Sequence, residues 1–269
     1  MLFFKKKKKA KIGLALGGGG AKGMAELGAL KAFEENGIEF DMVSGTSIGS
    51  IIGALYANGY TSDDMLALLK SIDISEIKTL IMIKMDTAPV ERILERLIGK
   101  LTFAELKKPY FCWATNVLTG EGREFSEGHI IKPVTASSAM PPFFKAVEID
   151  GEPYCDGVYA NLIPADSLKS RGCDYVVGID LSTYTVKSKL SGILDLFTYK
   201  VPILKDGKEA GYKNADIMLQ PDLTGMTALS TDKLDVMYNA GYNEATARMD
   251  EIKKKLAELK IFDKKGKRR

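Results

Sequence analysis

Three short stretches carry side chains and backbone that could do chemistry together. The first is GTSIG, residues 45–49, in which Ser47 stands between Gly45 and Gly49. A G-x-S-x-G pattern at a strand-to-helix junction forces a sharp turn that leaves the serine hydroxyl exposed, and the glycines make room where a side chain would clash. The pattern alone is unspecific in a chain with 26 glycines; its setting between FDMVS and the apolar run SIGSIIGALYANG gives it weight. A helix starting at the serine would aim its first amides there and favour negative charge.

The second stretch is GGGGAKG, residues 17–23. Consecutive small residues let backbone N–H groups converge on one concavity, a nest for a phosphate or for the oxyanion of an ester's tetrahedral intermediate. Loss of one oxyanion donor can raise a barrier by about 2.7–4 kcal/mol. Lys22 adds positive charge beside the loop. Gly18, Gly20 and Gly23 also satisfy GxGxxG, but a dinucleotide site needs an acid closing the second strand, where FDMVSG runs into the serine instead. A P-loop is excluded because Gly23, not Ser or Thr, follows Lys22.

A nucleophilic serine needs a proton acceptor. The single histidine, His129, lies in the polar stretch EGREFSEGHIIKP and reads as a surface residue. The other candidates are carboxylates, and Asp156-Gly157 follows a predicted hairpin. An aspartate with a reference pKa of about 3.9 is a poor base unless partly desolvated. The same loss of water would strengthen the oxyanion donors.

One histidine and three cysteines (Cys112, Cys155, Cys173) without CxxC spacing predict no metal site, no cofactor and reduced thiols. No apolar run reaches the roughly 18 residues that cross a bilayer. The start MLFFKKKKKAK lacks a signal-peptide core, so the expected location is cytoplasmic, with peripheral contact at the inner face of a membrane as a second expectation. The net charge is +3, yet residues 5–9 are all lysine and the chain closes on KKGKRR. These ends read as solvated tails, or as anchors on anionic lipid with Leu2, Phe3 and Phe4 dipping into the interface. Each basic residue there would contribute about 1 kcal/mol. Without interleaved aromatics or a basic stripe, no nucleic-acid partner is expected.

The elements that must position these residues follow from hydrophobic period and breakers. KIGLALG and FDMVSG read as buried strands, each followed by a helix, AKGMAELGALKAFEENG closed by Gly37 and SIGSIIGALYANG closed by Gly59. Strand–helix–strand–helix predicts a parallel sheet flanked by helices. SDDMLALLKSI and APVERILERLIG read as helices, and YFCWATNVLTGEGREFSEG as two strands. IIKPVTASSAMPP reads as a short helix stopped by Pro141 and Pro142, and AVEIDGEPYCDG as a hairpin turning at Asp150-Gly151. CDYVVGIDLS and ADIMLQPDL read as further strands, the segment between them as loosely patterned, and DKLDVMYNAGYNEATARMDEIKKKLAELK as one final helix. The absence of repeats and linkers predicts one domain over residues 11–260, with a motif-bearing core at 11–180, a C-terminal elaboration at 181–260, and basic tails at 1–10 and 261–269.

The order GGGAKG, GTSIG, ASSAMPPFF and then DG resembles the patatin-like phospholipase family over residues 11–180, with further likeness in ADIMLQPDL and AGY. That resemblance implies a three-layer α/β/α fold with a mostly parallel central sheet. It also implies a serine lipid acyl hydrolase acting through an acyl-enzyme on phospholipids, lysophospholipids or other acyl esters. By the same likeness Ser47 is the nucleophile, Asp156 its base, and Gly18, Gly19 and Gly20 the oxyanion loop. Lys22, Gly23, Gly45, Gly49 and Gly157 support them. Val158 departs from the pattern, standing where the family usually has Gly or Ala, so the loop behind Asp156 is expected to be shaped differently. The competing expectation is a membrane- or protein-binding module that keeps the fold with little turnover.

Overall fold

The structure, a computed structural model, describes residues 10–71, 86–182 and 206–261. Residues 1–9 and 262–269 of the basic tails and the apolar segment at 191–199 lie outside the described residues.

The chain begins with β1 (Ile12–Leu16), whose alternation sorts side chains onto two faces. Ile12, Leu14 and Leu16 enter one large apolar core, while Ala15 joins a smaller cluster on the opposite face with Ile163, Leu168 and Val176. A 3-10 turn at Gly20–Gly23 leads into α1 (Met24–Glu35). Then come β2 (Met42–Thr46), α2 (Ile48–Asn58) and α3 (Ser62–Ser71). Gly37 and Gly59 stop α1 and α2 with φ of +67° and +96°, a conformation that L side chains resist.

After α4 (Ala88–Ile98) the chain forms β3 (Tyr110–Asn116), β4 (Gly122–Phe125) and α5 (Ile131–Ser137). The hairpin of β5 (Val147–Ile149) and β6 (Glu152–Asp156) turns at Asp150 and Gly151, with φ of +55° and +81°. Two successive positive φ values fit the primed turn that Asp-Gly favours. The remaining elements are α6 (Ala165–Ser170), β7 (Tyr175–Ile179), α7 (Asp206–Asn214), β8 (Ile217–Leu219), α8 (Leu234–Ala247) and α9 (Met249–Glu258).

The strands make one sheet in the order β5-β6-β3-β2-β1-β7-β8, with β4 paired to β3. β3, β2, β1, β7 and β8 run parallel; β4 and β6 are antiparallel to β3, and β5 to β6. α1 and α2 cover the face with the large core, and α6 and α7 the other. This is the three-layer arrangement expected from the sequence.

Two features differ from the sequence reading. The segment read as loosely patterned contains the helix α7. The final helix is two helices meeting at Arg248, whose φ of −96° and ψ of 0° leave the helical range. Its buried residues explain the break: Met237, Gly241, Ala245 and Met249 recur every four residues. Three such steps rotate the stripe by about 120° around a straight helix. The bend returns Met249, Ile252 and Leu256 to the core.

The C-terminal part is integral to the body. β8 extends the sheet beside β7, and α8 lies directly against α1. A Cβ on Gly28 would meet the Tyr238 carbonyl oxygen at 1.9 Å, and one on Gly241 the Ala25 carbonyl oxygen at 1.8 Å. The two helices therefore touch backbone to backbone.

Candidate active site

β1, β2 and β3 are parallel, so their C-terminal ends share one edge of the sheet, where ligands bind in open α/β folds. The glycine loop leaves β1 at that edge, and Ser47 leaves β2 next to it. Ser47 has φ 56° and ψ −126°, the strained elbow conformation its pattern predicts. Gly45 and Gly49 make the bend possible: a Cβ on Gly45 would lie 2.2 Å from the Gly49 carbonyl oxygen, and one on Gly49 would lie 2.6 Å from that of Leu16. The start of α2 closes over the serine carbonyl, which accepts from Ser50 N–H at 2.8 Å and Ser50 Oγ at 2.6 Å.

Asp156 ends β6, beside Ala114 in the register with β3. Ser47 Oγ donates to Asp156 Oδ2 at 2.6 Å, and Val158 N–H donates to Oδ1 at 3.0 Å. The Asp156 backbone is held at both ends, its N–H by the Ala139 carbonyl at 3.1 Å and its C=O by Thr115 Oγ1 at 2.8 Å. Asp156 has no exposed surface, whereas Ser47 keeps 8%. Burial pushes the Asp156 carboxyl up to about 7, against the opposing effect of hydrogen bonds from Ser47 and Val158. A carboxylate with that pKa accepts a proton near neutrality, which an ordinary aspartate does poorly.

Val158 does not disturb this geometry. It sits in a 3-10 turn at Gly157–Tyr159, and among the described residues the non-glycine ones with positive φ are Ser47, Asp150 and Lys260. Its effect is steric: a Cβ placed on Gly18 would lie 2.2 Å from Val158 Cγ1. Gly157 is needed for close approach, since a Cβ there would meet the Trp113 carbonyl oxygen at 2.2 Å.

The glycine loop is divided in its hydrogen bonding. Gly18 N–H donates to the Leu162 carbonyl at 3.2 Å, while the amides of Gly19 and Gly20 have no acceptor among the described residues. Ala21 N–H donates to the Ala228 carbonyl at 2.8 Å, which ties the loop to the segment after β8. Gly23 packs on α2, a Cβ there falling 2.4 Å from Ile48 Cγ1. Lys22 is largely buried; desolvation lowers its pKa, Asp180 opposes that shift, and Lys208 adds to it. Glu26, one turn into α1, is wholly enclosed and neither carboxyl oxygen has a hydrogen-bond partner. Burial raises its pKa well above the ordinary carboxylate value, offset only in part by the nearby Gly17 amide.

His129 is exposed, on an isolated antiparallel bridge with Thr102. Among the described residues no cluster of His, Cys, Asp and Glu could hold a metal ion, and no helix is long and apolar enough to cross a membrane. Ser137 and Ser138, inside the ASSAMPP stretch, touch the backbone of Ser47. Sequence reasoning used that stretch for the family likeness and gave its serines no role; their contact with a residue some ninety positions away leaves no local signal.

Comparison with known proteins finds relatives in sequence and in fold. Lysophospholipase NTE1 of Candida glabrata is 34% identical over 183 residues, covering 64% of this chain and 10% of that protein. Patatin-like phospholipase domain-containing protein 6 of Mus musculus is 33% identical over 183 residues, covering 64% of this chain and 14% of that protein. The chain thus spans only a small part of the curated relatives it matches. VipD from Legionella pneumophila superposes with a TM-score of 0.61 at 15% identity, covering 90% of this chain and 67% of that one, a likeness of fold. The model of the family described as patatin-like phospholipase matches residues 14–169, more than half of the chain and a span that holds both Ser47 and Asp156. On that match the chain belongs to the patatin-like phospholipase family.

Proposed function

We propose that this protein hydrolyses carboxylic esters of lipids through Ser47 and Asp156. The observation that carries the reading is the 2.6 Å hydrogen bond from Ser47 Oγ to a fully buried Asp156 whose pKa lies at about 7. Ser47 Oγ attacks the acyl carbonyl as its proton passes to Asp156. The ester oxygen leaves with that proton as an alcohol, and the acyl group stays on Ser47. Water then attacks the acyl-enzyme, giving one proton to Asp156, which returns it to Ser47 Oγ as the carboxylic acid departs.

The oxyanion of each tetrahedral intermediate is assigned to the glycine loop, with the Gly19 and Gly20 amides as donors, since Gly18 N–H is already engaged. The raised pKa lets Asp156 act without a histidine, and Ser47's exposed fraction gives the substrate access. The names of the relatives, lysophospholipase and patatin-like phospholipase, support an acyl ester of a phospholipid or lysophospholipid as substrate.

The test is hydrolysis of p-nitrophenyl butyrate and of a defined lysophospholipid by purified protein. Ser47→Ala is expected to abolish both while circular dichroism stays unchanged, and His129→Ala to retain most activity. Full activity in Ser47→Ala, or its loss in His129→Ala alone, would overturn the assignment.

A further inference from the structure

The strained conformation of Ser47 is held from outside its own loop. Ser137 Oγ accepts from Ser47 N–H at 3.0 Å, and Ser137 has no exposed surface. Ser138 Oγ lies 3.1 Å from the Ser47 carbonyl oxygen and 3.0 Å from that of Val134, so its single proton can serve either. The next carbonyl, of Ala139, accepts from Asp156 N–H at 3.1 Å. Three consecutive residues leaving α5 therefore grip the main chain of both the serine and the aspartate. These two come from strands that are not neighbours in the sheet.

We infer that residues 137–139 position the reacting pair, with Ser137 as the principal positioning residue. The inference rests on the reading of Ser47 as nucleophile. Ser47 N–H is buried at the end of β2 and needs an acceptor. Ser137 supplies it in the conformation where Ser47 holds a positive φ, one with an intrinsic tendency to relax, and so anchors the preceding peptide at the bend. Without the acceptor the amide loses its partner and the elbow can rotate, carrying Oγ away from Asp156. The competent fraction falls, and the rate of acylation falls with it. Acylation and deacylation use the same Ser47–Asp156 geometry and slow together, and substrate binding does not depend on that hydrogen bond, so kcat drops and KM does not.

The experiment uses the full chain and two readouts, labelling by a fluorophosphonate probe and kcat with KM for p-nitrophenyl butyrate. Ser137→Ala is expected to slow labelling and kcat by about ten- to hundredfold, with KM within about twofold. Ser137→Thr, which keeps the oxygen, restores most of the rate. Ser138→Ala slows it by about two- to fivefold. Ser167→Ala is the structural reference: that serine is also buried, and its Oγ accepts from Trp113 Nε1–H at 2.8 Å, a bond that involves neither Ser47 nor Asp156. It is expected to lose thermal stability comparable to Ser137→Ala with kcat nearly unchanged.

Labelling of Ser137→Ala at the wild-type rate, or an equal slowing in Ser167→Ala, overturns the inference. If Ser137→Ala does not fold, Ser138→Ala decides, and an unchanged kcat there sinks the proposal. Ser47→Ala separates the two levels. Labelling that persists in it removes the nucleophile reading and the positioning role together, whereas a silent Ser47→Ala beside a normal Ser137→Ala removes the positioning role alone.

Discussion

Replacing Asp156 by Asn is expected to stabilise the protein at pH 8 while abolishing hydrolysis. Burial raises the carboxyl from 3.8 to about 7 in the folded chain. The folded-state pKa lies above the unfolded one, so across that window the folded state binds the extra proton. Stability is then full below the window, declines as pH rises through it, and levels off above it. A gap of roughly three units at 1.36 kcal/mol each sets a ceiling on the order of 4 kcal/mol. Asparagine keeps a carbonyl for Val158 N–H and turns an NH2 toward Ser47 Oγ, which can accept, so both contacts of the wild-type carboxylate have counterparts. The variant should thus be about 2–4 kcal/mol more stable than wild type at pH 8 and about equal near pH 4. Urea unfolding followed by fluorescence of Trp113, the single tryptophan, measures this at pH 5, 6, 7 and 8. A stability difference that does not change with pH, or a variant less stable at pH 8, would refute the claim that Asp156 is held at a raised pKa.

Further predictions follow from the same geometry. Activity in wild type should climb about tenfold per pH unit below an apparent pKa of about 7 and flatten above it, measured as kcat/KM for p-nitrophenyl butyrate; a flat profile from pH 5 to 8 would mean an unperturbed base. Gly18→Ala places a methyl 2.2 Å from Val158 Cγ1 and is expected to cost at least about tenfold in kcat, with Val158→Ala in the same chain restoring part of it. Absence of any rescue in the double variant would show that Val158 is not what limits space at the loop. Gly28→Ala, whose methyl would meet the Tyr238 carbonyl oxygen at 1.9 Å, should destabilise by about 3 kcal/mol, and a thermal-unfolding midpoint within about 2 °C of wild type would rule out the helix contact.

Local signals made the first sixty residues readable. Gly37 and Gly59 end helices at positive φ, and the serine between Gly45 and Gly49 falls at the junction where its neighbours change period from two to 3.6. Asp150-Gly151 likewise marked its hairpin without reference to the rest of the chain. What escaped the sequence is non-local or lacks periodicity. Helix α7 carries DGKEAGYKN, with no apolar stripe, and fits by a close approach at Gly211, where a Cβ would stand 2.7 Å from the Ile163 carbonyl oxygen. The engagement of Gly18 by Leu162, and the Ser47–Ser137 bond, join residues far apart in the chain, so no spacing rule announces them. Ser47 and Asp156 were legible as a pair only through the family likeness, because nothing in their separation along the chain says that they meet.

The backbone contact between α1 and α8 has a consequence for how the protein is made. α1 is translated about two hundred residues before α8, which cannot form until residue 234 and those after it have been made. Until then the groove along Ala25 and Gly28 has no occupant, and a nascent chain carrying both Ser47 and Asp156 still lacks the helix that closes over α1. Packing of α8 on α1 and of β8 on the sheet edge therefore waits until those segments have been translated, an interval in which binding by a chaperone would compete with misfolding.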